Sequence, residues 1–464
     1  MRNHPFDRSG FSRTMLLTMS TLAVCVFLFF KCTLEHTEEP AEYRTSTAVA
    51  LDWNRLALEL ERKTTGYRPP VSARMFAYVE LAAYEAALPG MEGYVSLEEF
   101  IAGFERPAFH LSSGQFYLPA SLNASYAGIL RHFFANAPGP LKDEIDRLET
   151  RYHNSFSSKS EAQKIAQSRS WGQSVAEQVW QWSKTDQTGH LADLNNYNPD
   201  YTAPGCAGCW QPTDHSMRKA LLPAWGNTRP FIVKPEKIIV RDPVLFSEVP
   251  GSAFYTGALE VFSVSQPLSR ENHWIAELWS DDLPGLTVSP AGRWISITIQ
   301  ALEKAKPAFP DVMETFVKCG LALCDSGISV WKAKYKYNVE RPVTYINRVI
   351  QGGWSPLHDT PPFPAYPSGH SAFGSAVAAV LSAQLGEHFE LEDRTHENRQ
   401  EFAGQSRSYH SFVEMAEENA ASRVLMGVHY RMDCEEGLRI GKLIGQKIAG
   451  LPLKQKETAL TERR

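Results

Sequence analysis

With 464 residues, 43% of them hydrophobic and 11% aromatic, the chain has enough apolar surface for a large core, which excludes an intrinsically disordered chain or a small disulfide-stapled scaffold. The formal net charge of −5, with acidic and basic residues interspersed, excludes a broad nucleic-acid-binding or acidic-lipid-binding face. Any anion site must therefore be a local cluster.

Arg2, Arg8 and Arg13 precede an apolar run from Met15 to Phe30 that ends at Lys31, so residues 1–32 read as an export signal or N-terminal anchor. Sixteen residues are short for a membrane span, yet no clean small-residue cleavage site follows, which keeps a retained anchor as the alternative to removal. Cys32 stands where a lipoprotein cysteine could stand, but Phe30 and Lys31 are the wrong neighbours for that signal. The expected location is outside the cytoplasm: periplasmic, at the cell surface or secreted. In such an oxidising compartment Cys206 and Cys209 could pair as a disulfide, and the zinc reading of the same CAGC stretch lacks a second ligand pair at suitable spacing. Cys319, Cys324 and Cys434 are expected as small core residues, and the odd mature count leaves at least one thiol free.

Residues 33–49 are polar and read as a tether; the folded part is expected to start near Ala50. From there apolar residues recur at three- and four-residue steps, as over Arg74 to Ala87 and Ser160 to Ser183, which predicts amphipathic helices. A Pro-, Gly- and Trp-rich passage from Asn195 to Pro230 has no period and closes an N-terminal helical half, 50–230. Helical patterning resumes at Ser252, with helices predicted over Pro310 to Tyr335, His370 to Leu385, Phe412 to Leu425 and Asp433 to Ala449 of a C-terminal half, 231–451, followed by a polar tail, 452–464. Strand patterns are scarce and there is no internal repeat or Gly-rich phosphate loop. The predicted class is all-α, two helical bundles with the functional site in the C-terminal half.

Three short stretches of that half concentrate cationic and hydrogen-bonding residues: Lys334, Arg341 and Pro342; then Pro367-Ser368-Gly369-His370; then Ser422-Arg423, His429 and Asp433. A tetrahedral or trigonal oxyanion needs fixed donors, and these supply them: Lys334 as a point charge, Arg341 and Arg423 as planar forks, the Ser368 hydroxyl and the Gly369 amide. Ser368 lies where a helix begins, so free amides and the positive end of the helix dipole face the same spot. His429 follows the expected helix-ending Gly427, where its imidazole can approach a central atom, and Asp433 can hold the second ring nitrogen and fix the tautomer. Taken singly, Lys334 reads as a solvated helix end, Arg423 as an ion-pair partner, Ser368 as an ordinary N-cap, and either histidine as a core residue. Together, at these spacings, they read as one site.

The order K-x6-RP, PSGH and SR-x5-H-x3-D, written here as KYKYNVERP, PSGH and SRVLMGVHYRMD, resembles the superfamily that joins type 2 phosphatidic acid phosphatases with vanadium haloperoxidases. Over roughly Ala50 to Leu451 the chain is similar to bacterial vanadium haloperoxidases, through RPPVSARMFAYVELAAYEA, CWQPTDHSMRKALLPAWGNTRPF, ELWSDDLPGLTVSPAGRW and PPFPAYPSGH. WQPTDHS departs from the proline-rich sequence common there.

The resemblance implies two four-helix bundles and one vanadate per chain, its vanadium bound by His429 and its oxygens held by Lys334, Arg341, Ser368, Gly369 and Arg423, with His370 beside them. His370, Lys334 and Asp433 are the implied catalytic residues: His370 moves the protons of hydrogen peroxide, Lys334 polarises the peroxide, and a halide is oxidised to hypohalous acid. Trp331 and Phe363 fall at the aromatic positions of the halide pocket, and Asp281 or Asp282 where a carboxylate stands behind an active-site arginine. Phe363 replaces the histidine of typical bromoperoxidases, which moves the expectation toward iodide or chloride, and the bacterial similarity toward iodide.

Two other readings compete. An acid phosphatase would use the same cage for phosphate, with His429 as phosphohistidine nucleophile and His370 protonating the leaving group; the long chain, the aromatic pair and the lack of several membrane spans weigh against it. A noncatalytic helical anion-binding protein has no need of both His370 and His429. Oligomeric state and organic acceptor are not legible.

Overall fold

The computed structural model describes residues 39–455 apart from 199, 214–218, 282, 284, 398 and 400–404. The export segment, the first part of the tether, Asp282 and the end of the tail therefore lie outside the described residues.

The described chain is mostly helical, as the periodicity predicts. The first half contains α1 (Ala41–Lys63), α2 (Pro69–Ala87), α3 (Leu118–Phe133), α4 (Gly139–Phe156) and α5 (Ala162–Lys184). The second contains α6 (Ala253–Ser265), α7 (Arg270–Leu278), α8 (Pro290–Ala305), α9 (Phe309–Tyr337), α10 (Pro342–Val349), α11 (Gly369–Leu385), α12 (Phe412–Leu425) and α13 (Arg431–Ala449). A short antiparallel hairpin, β1 (Leu391–Asp393) and β2 (Arg407–Tyr409), pairs Leu391 with Tyr409. None of the described helices is long and apolar enough to cross a membrane.

Two boundaries differ from expectation. Helix α1 begins at Ala41, inside the stretch read as a tether, because Ser46, Val49, Ala50 and Trp53 recur at helical spacing and are all buried. Its Glu42 also accepts the Leu118 amide at 2.7 Å, at the start of α3. At the other end the tail does not leave the fold at residue 452: Leu453 is fully buried, its carbonyl accepts from the Val95 amide at 2.9 Å, and the Gln455 amide donates to Gly93 at 2.7 Å.

The two halves share one core, running from Val49 to Leu453, in which α2 lies against α9. The aperiodic passage between them is pinned by polar contacts. Asp325 on α9 accepts the amides of Phe231, Ile232 and Val233 at 2.8, 2.8 and 2.7 Å, Cys206 and Cys209 are joined, and Trp210 donates to the Asn338 carbonyl at 2.6 Å. Cys319, Cys324 and Cys434 are buried free thiols, as expected.

Helix α13 approaches α11 unusually closely. A Cβ on Gly437, Gly441 or Gly445 would fall 2.5, 2.2 or 2.2 Å from the carbonyls of Ser368, Ala372 and Ala376, so only glycine permits that distance. This close contact brings the start of α13, with Asp433, against the start of α11, with Ser368.

Helix α2 is buried at every position, including Glu80, whose carboxyl accepts from Tyr126 Oη at 2.9 Å. Burial pushes the Glu80 pKa up to about 8. The folded chain thus keeps a proton that the unfolded chain releases above the ordinary glutamate range, and stability falls as pH rises from about 4.5 to about 8. Glu80→Gln, which needs no proton, is expected to leave the melting temperature unchanged near pH 5 and to raise it at pH 9, where the gain in stability is about a few kcal/mol at most. Calorimetry at both pH values checks this; an equal difference at both would contradict it.

Candidate active site

The long α9 ends on Asn338 in the left-handed conformation at φ 50°, Val339 bridges to Cys209, Arg341 is extended, and α10 starts at Pro342. This turn places Lys334 on the last turn of one helix and Arg341 at the N-cap of the next. Both are fully buried. Lys334 Nζ donates to the carbonyls of Pro364 and Ala365 at 3.0 and 2.9 Å, in the loop that leads to Ser368. Arg341 Nε donates to Phe363 O at 3.0 Å and its Nη1 to Val428 O at 2.9 Å.

Helix α12 stops at Gly427, whose φ of 82° suits glycine and whose missing Cβ would otherwise lie 2.9 Å from the Trp354 ring. The chain then presents His429. Its Nδ1 donates to Asp433 Oδ2 at 2.9 Å, which also accepts the Tyr430 amide at 3.0 Å and so caps α13. With the proton on Nδ1, the Nε2 lone pair faces the cage, where Arg341 Nη1 lies 3.1 Å away. The Asp433 carbonyl accepts the Ser368 amide at 2.8 Å, tying the third motif to the second. Ser368 caps α11, its Oγ accepting the Ser371 amide at 3.4 Å, and its own proton remains available to an oxyanion.

His370 sits in the first turn of α11. One ring nitrogen is hydrogen-bonded to the main chain of Asp281; the other, Nε2, is buried and has no partner among the described residues. Arg423 reaches the same place from α12, held by Nη1 donating to Trp279 O at 3.0 Å. His370, Arg423, His429 and Gly369 line a small cavity whose apolar wall is Trp331, Phe363, Phe373, Pro69 and Pro361. Trp331 and Phe363 pack with ring centroids 5.0 Å apart, and Lys334 Nζ lies 5.1 Å from the Phe363 ring. A larger cleft of about 620 Å³ among α11, α12 and α13 includes none of the cage residues in its lining, so size does not mark the chemistry here.

The electrostatics are those of a cage built for negative charge. Burial, then Arg341, holds Lys334 well below its usual range, and burial brings Arg341 down to about 9. Burial and the cations Arg341, Lys334 and Arg423 likewise keep both His370 and His429 well below the usual histidine value. Burial lifts Asp433 to about 7, with Lys334 and Arg341 opposing the shift. Three guanidinium and ammonium groups thus converge beside a single carboxylate, and Arg341 Nη2 is buried without a partner among the described residues. Donors of this number and shape fit a compact oxyanion such as vanadate or phosphate.

All the motif residues anticipated from sequence therefore converge, and Trp331 and Phe363 border them. Of the two carboxylates expected behind an active-site arginine, Asp281 faces Arg293 at 3.5 Å and His396 at 3.1 Å, with its main chain toward His370, and Asp282 lies outside the described residues. Sequence reasoning missed Trp279 and Asn419, which hold Arg423 and the His370 carbonyl. It missed Phe373 as well, which stands one turn after Gly369 on a helix already predicted.

The comparisons agree with this geometry. Residues 314–454 match the family described as the VCPO second helical-bundle domain. The chain is 24% identical to vanadium chloroperoxidase of Curvularia inaequalis over 506 aligned positions, 85% of this chain and 80% of that protein. Among solved structures, that of the first bacterial vanadium-dependent iodoperoxidase superposes with a TM-score of 0.79 at 26% identity, covering 91% of this chain and all of that one. A holo-type bacterial vanadium-dependent chloroperoxidase shares the fold at a TM-score of 0.65 and 17% identity, covering 84% and 92%.

Proposed function

We propose, taking as premise that the chain is a member of the vanadium haloperoxidase family, that it holds one vanadate and uses hydrogen peroxide to oxidise iodide to hypoiodous acid. The observation that carries this reading is the buried cation cage around a histidine whose Nε2 lone pair faces inward, with an aromatic pair on one wall.

His429 supplies the nitrogen ligand, and Asp433 keeps its proton on Nδ1 so that Nε2 remains a donor to a metal centre. Lys334, Arg341, Arg423, the Ser368 hydroxyl and the Gly369 amide hold the oxygens. Vanadate in this place supplies Lewis-acid activation of hydrogen peroxide without changing oxidation state. His370, neutral because of its burial and its cationic neighbours, takes up a peroxide proton at Nε2 and returns it to the leaving oxygen. Lys334 sits where its charge stabilises negative oxygen as the bond to halide forms. The reaction balances as iodide, hydrogen peroxide and one proton giving hypoiodous acid and water.

Iodide is favoured by Phe363 and by the similarity to the iodoperoxidase structure. The cage residues are committed to the oxyanion, so halide choice falls to Trp331 and Phe363, whose rings border the cavity. In vanadate-loaded protein, iodide turnover is expected to exceed bromide and chloride turnover. Phe363→His is expected to alter the iodide-to-bromide ratio while the vanadate dissociation constant stays within about tenfold, or ~1.4 kcal/mol. Steady-state rates with all three halides, beside vanadate titration, check both statements. Faster bromide or chloride turnover in the parent protein would overturn the iodide assignment, and an unchanged ratio would reduce Phe363 to packing.

A further inference from the structure

Arg293 of α8 is fully buried, and the hydrogen bonds and ion pairs of its guanidinium among the described residues fall on one short strip of chain and on Asp393 behind it. Its Nη1 donates to Leu278 O at 3.0 Å and lies 3.5 Å from Asp281 Oδ1; its guanidinium carbon lies 4.6 Å from the centroid of the Trp279 ring. Its Nη2 is 2.5 Å from Asp393 Oδ2, and Asp393 is itself fixed by the Thr395 amide at 2.9 Å and by Gln300 Nε2 at 3.2 Å.

The strip so gripped, Leu278 to Asp281, turns its main chain the other way. The Trp279 carbonyl accepts from Arg423 Nη1 at 3.0 Å, and the Asp281 main chain is hydrogen-bonded to the His370 ring. Two cage residues from two different helices therefore touch one strip, which Arg293 grips from behind together with the Trp279 Nε1 bond to Glu418 at 3.0 Å and the Asp281 contact with His396 at 3.1 Å. Burying a guanidinium between two carboxylates contributes little net stability, because desolvating three ions offsets their attraction. What the arrangement supplies is direction: a planar fork donates to a carbonyl and to the Asp393 carboxylate while lying beside that of Asp281, a fixed geometry that an ammonium cannot reproduce.

We propose that Arg293 is a positioning residue of the oxyanion cage, fixing the Leu278–Asp281 main chain and through it the ring orientation and tautomer of His370 and the placement of Arg423. Nδ1 of His370 is the nitrogen engaged by the Asp281 main chain, since Nε2 has no partner. Its proton then points to the strip, and Nε2 is left as the proton acceptor toward the cavity.

The test compares Arg293→Lys with Arg74→Lys. Arg74 is an equally buried arginine, paired with Asp186 at 3.1 Å and donating to Ser183 O at 2.8 Å, and it contacts no cage residue. In histidine-¹⁵N-labelled protein without vanadate, the His370 signals, assigned by their loss in His370→Gln, are expected to show one tautomer in the parent and in Arg74→Lys and a mixture in Arg293→Lys. With vanadate, Arg293→Lys is expected to lower kcat about tenfold and to weaken vanadate about tenfold, with the iodide KM within about threefold. Arg74→Lys should lower the melting temperature comparably and leave kcat and vanadate affinity within about twofold.

A single His370 tautomer with kcat within twofold in Arg293→Lys would overturn the assignment, as would the same changes in Arg74→Lys. If Arg293→Lys does not fold, Asp281→Asn, which removes one charge from the grip without changing its shape, is expected to mix the tautomer too, and an unmixed signal there overturns it. The kcat arm rests on the haloperoxidase reading; the tautomer arm does not, so failure of one is separable from failure of the other.

Discussion

His429→Ala is expected to give a folded protein that no longer retains vanadate, with affinity reduced at least about 10³-fold, roughly 4 kcal/mol. His429 Nε2 is the nitrogen in the cage that the Asp433 contact at 2.9 Å keeps unprotonated, whereas Lys334, Arg341 and Arg423 can only donate. Alanine removes the metal ligand and strands the Asp433 carboxylate, which then pairs with the cations meant for the oxyanion. The fold should persist, because α12 is ended by Gly427 and α13 still has Asp433 at its capping position. Equilibrium dialysis with vanadium analysis checks this. Affinity within tenfold of the parent would show that the oxyanion is held by charge alone.

His370→Ala is expected to do the reverse, leaving vanadate affinity within about tenfold while slowing turnover about 10²-fold or more, as loss of a general acid/base does. His370 lines the cavity with its Nε2 buried and without a partner among the described residues, so its removal takes away a proton carrier while the cation cage stays. Steady-state iodide oxidation at saturating vanadate measures the effect. Loss of vanadate equal to that in His429→Ala would erase the division between the two histidines.

The three motifs were legible because charged forks, imidazoles and a Ser-Gly helix start are written in side-chain identity. Helix α12 was placed end to end at Phe412–Leu425, and Ser368 and Gly427 were read correctly as helix start and stop. What positions the cage was less visible, because much of it is backbone. Lys334 rests on the carbonyls of Pro364 and Ala365, Arg341 on those of Phe363 and Val428, and Arg423 on that of Trp279; a carbonyl acceptor leaves no mark on residue type.

Of the two alternatives Asp281 and Asp282, the described one, Asp281, shows the same effect. Its acidic side chain drew attention, but its main chain touches His370 while the carboxylate answers Arg293. The early start of α1 was missed because Glu, Thr and Ala in residues 41–48 serve a tether and a helix equally well, and only burial of Ser46 and Val49 decides between them. The glycines at 437, 441 and 445 were in plain sight, yet their meaning depends on carbonyls of a helix 60-odd residues away in sequence, so no local pattern could assign it.

The central claim, that this cage serves vanadate and peroxide chemistry rather than phosphate ester hydrolysis, is tested most directly by one paired measurement. Protein freed of bound oxyanion by dialysis at low pH against phosphate and chelator, then exchanged out of phosphate, is assayed with iodide and hydrogen peroxide and, in parallel, with a chromogenic phosphate ester, each with and without added orthovanadate. The account predicts no iodide oxidation until orthovanadate is added, full oxidation after, and ester hydrolysis slow by comparison and blocked by orthovanadate. Iodide oxidation at full rate in rigorously vanadate-free protein, or rapid ester hydrolysis with no vanadate-dependent iodide oxidation, would contradict it.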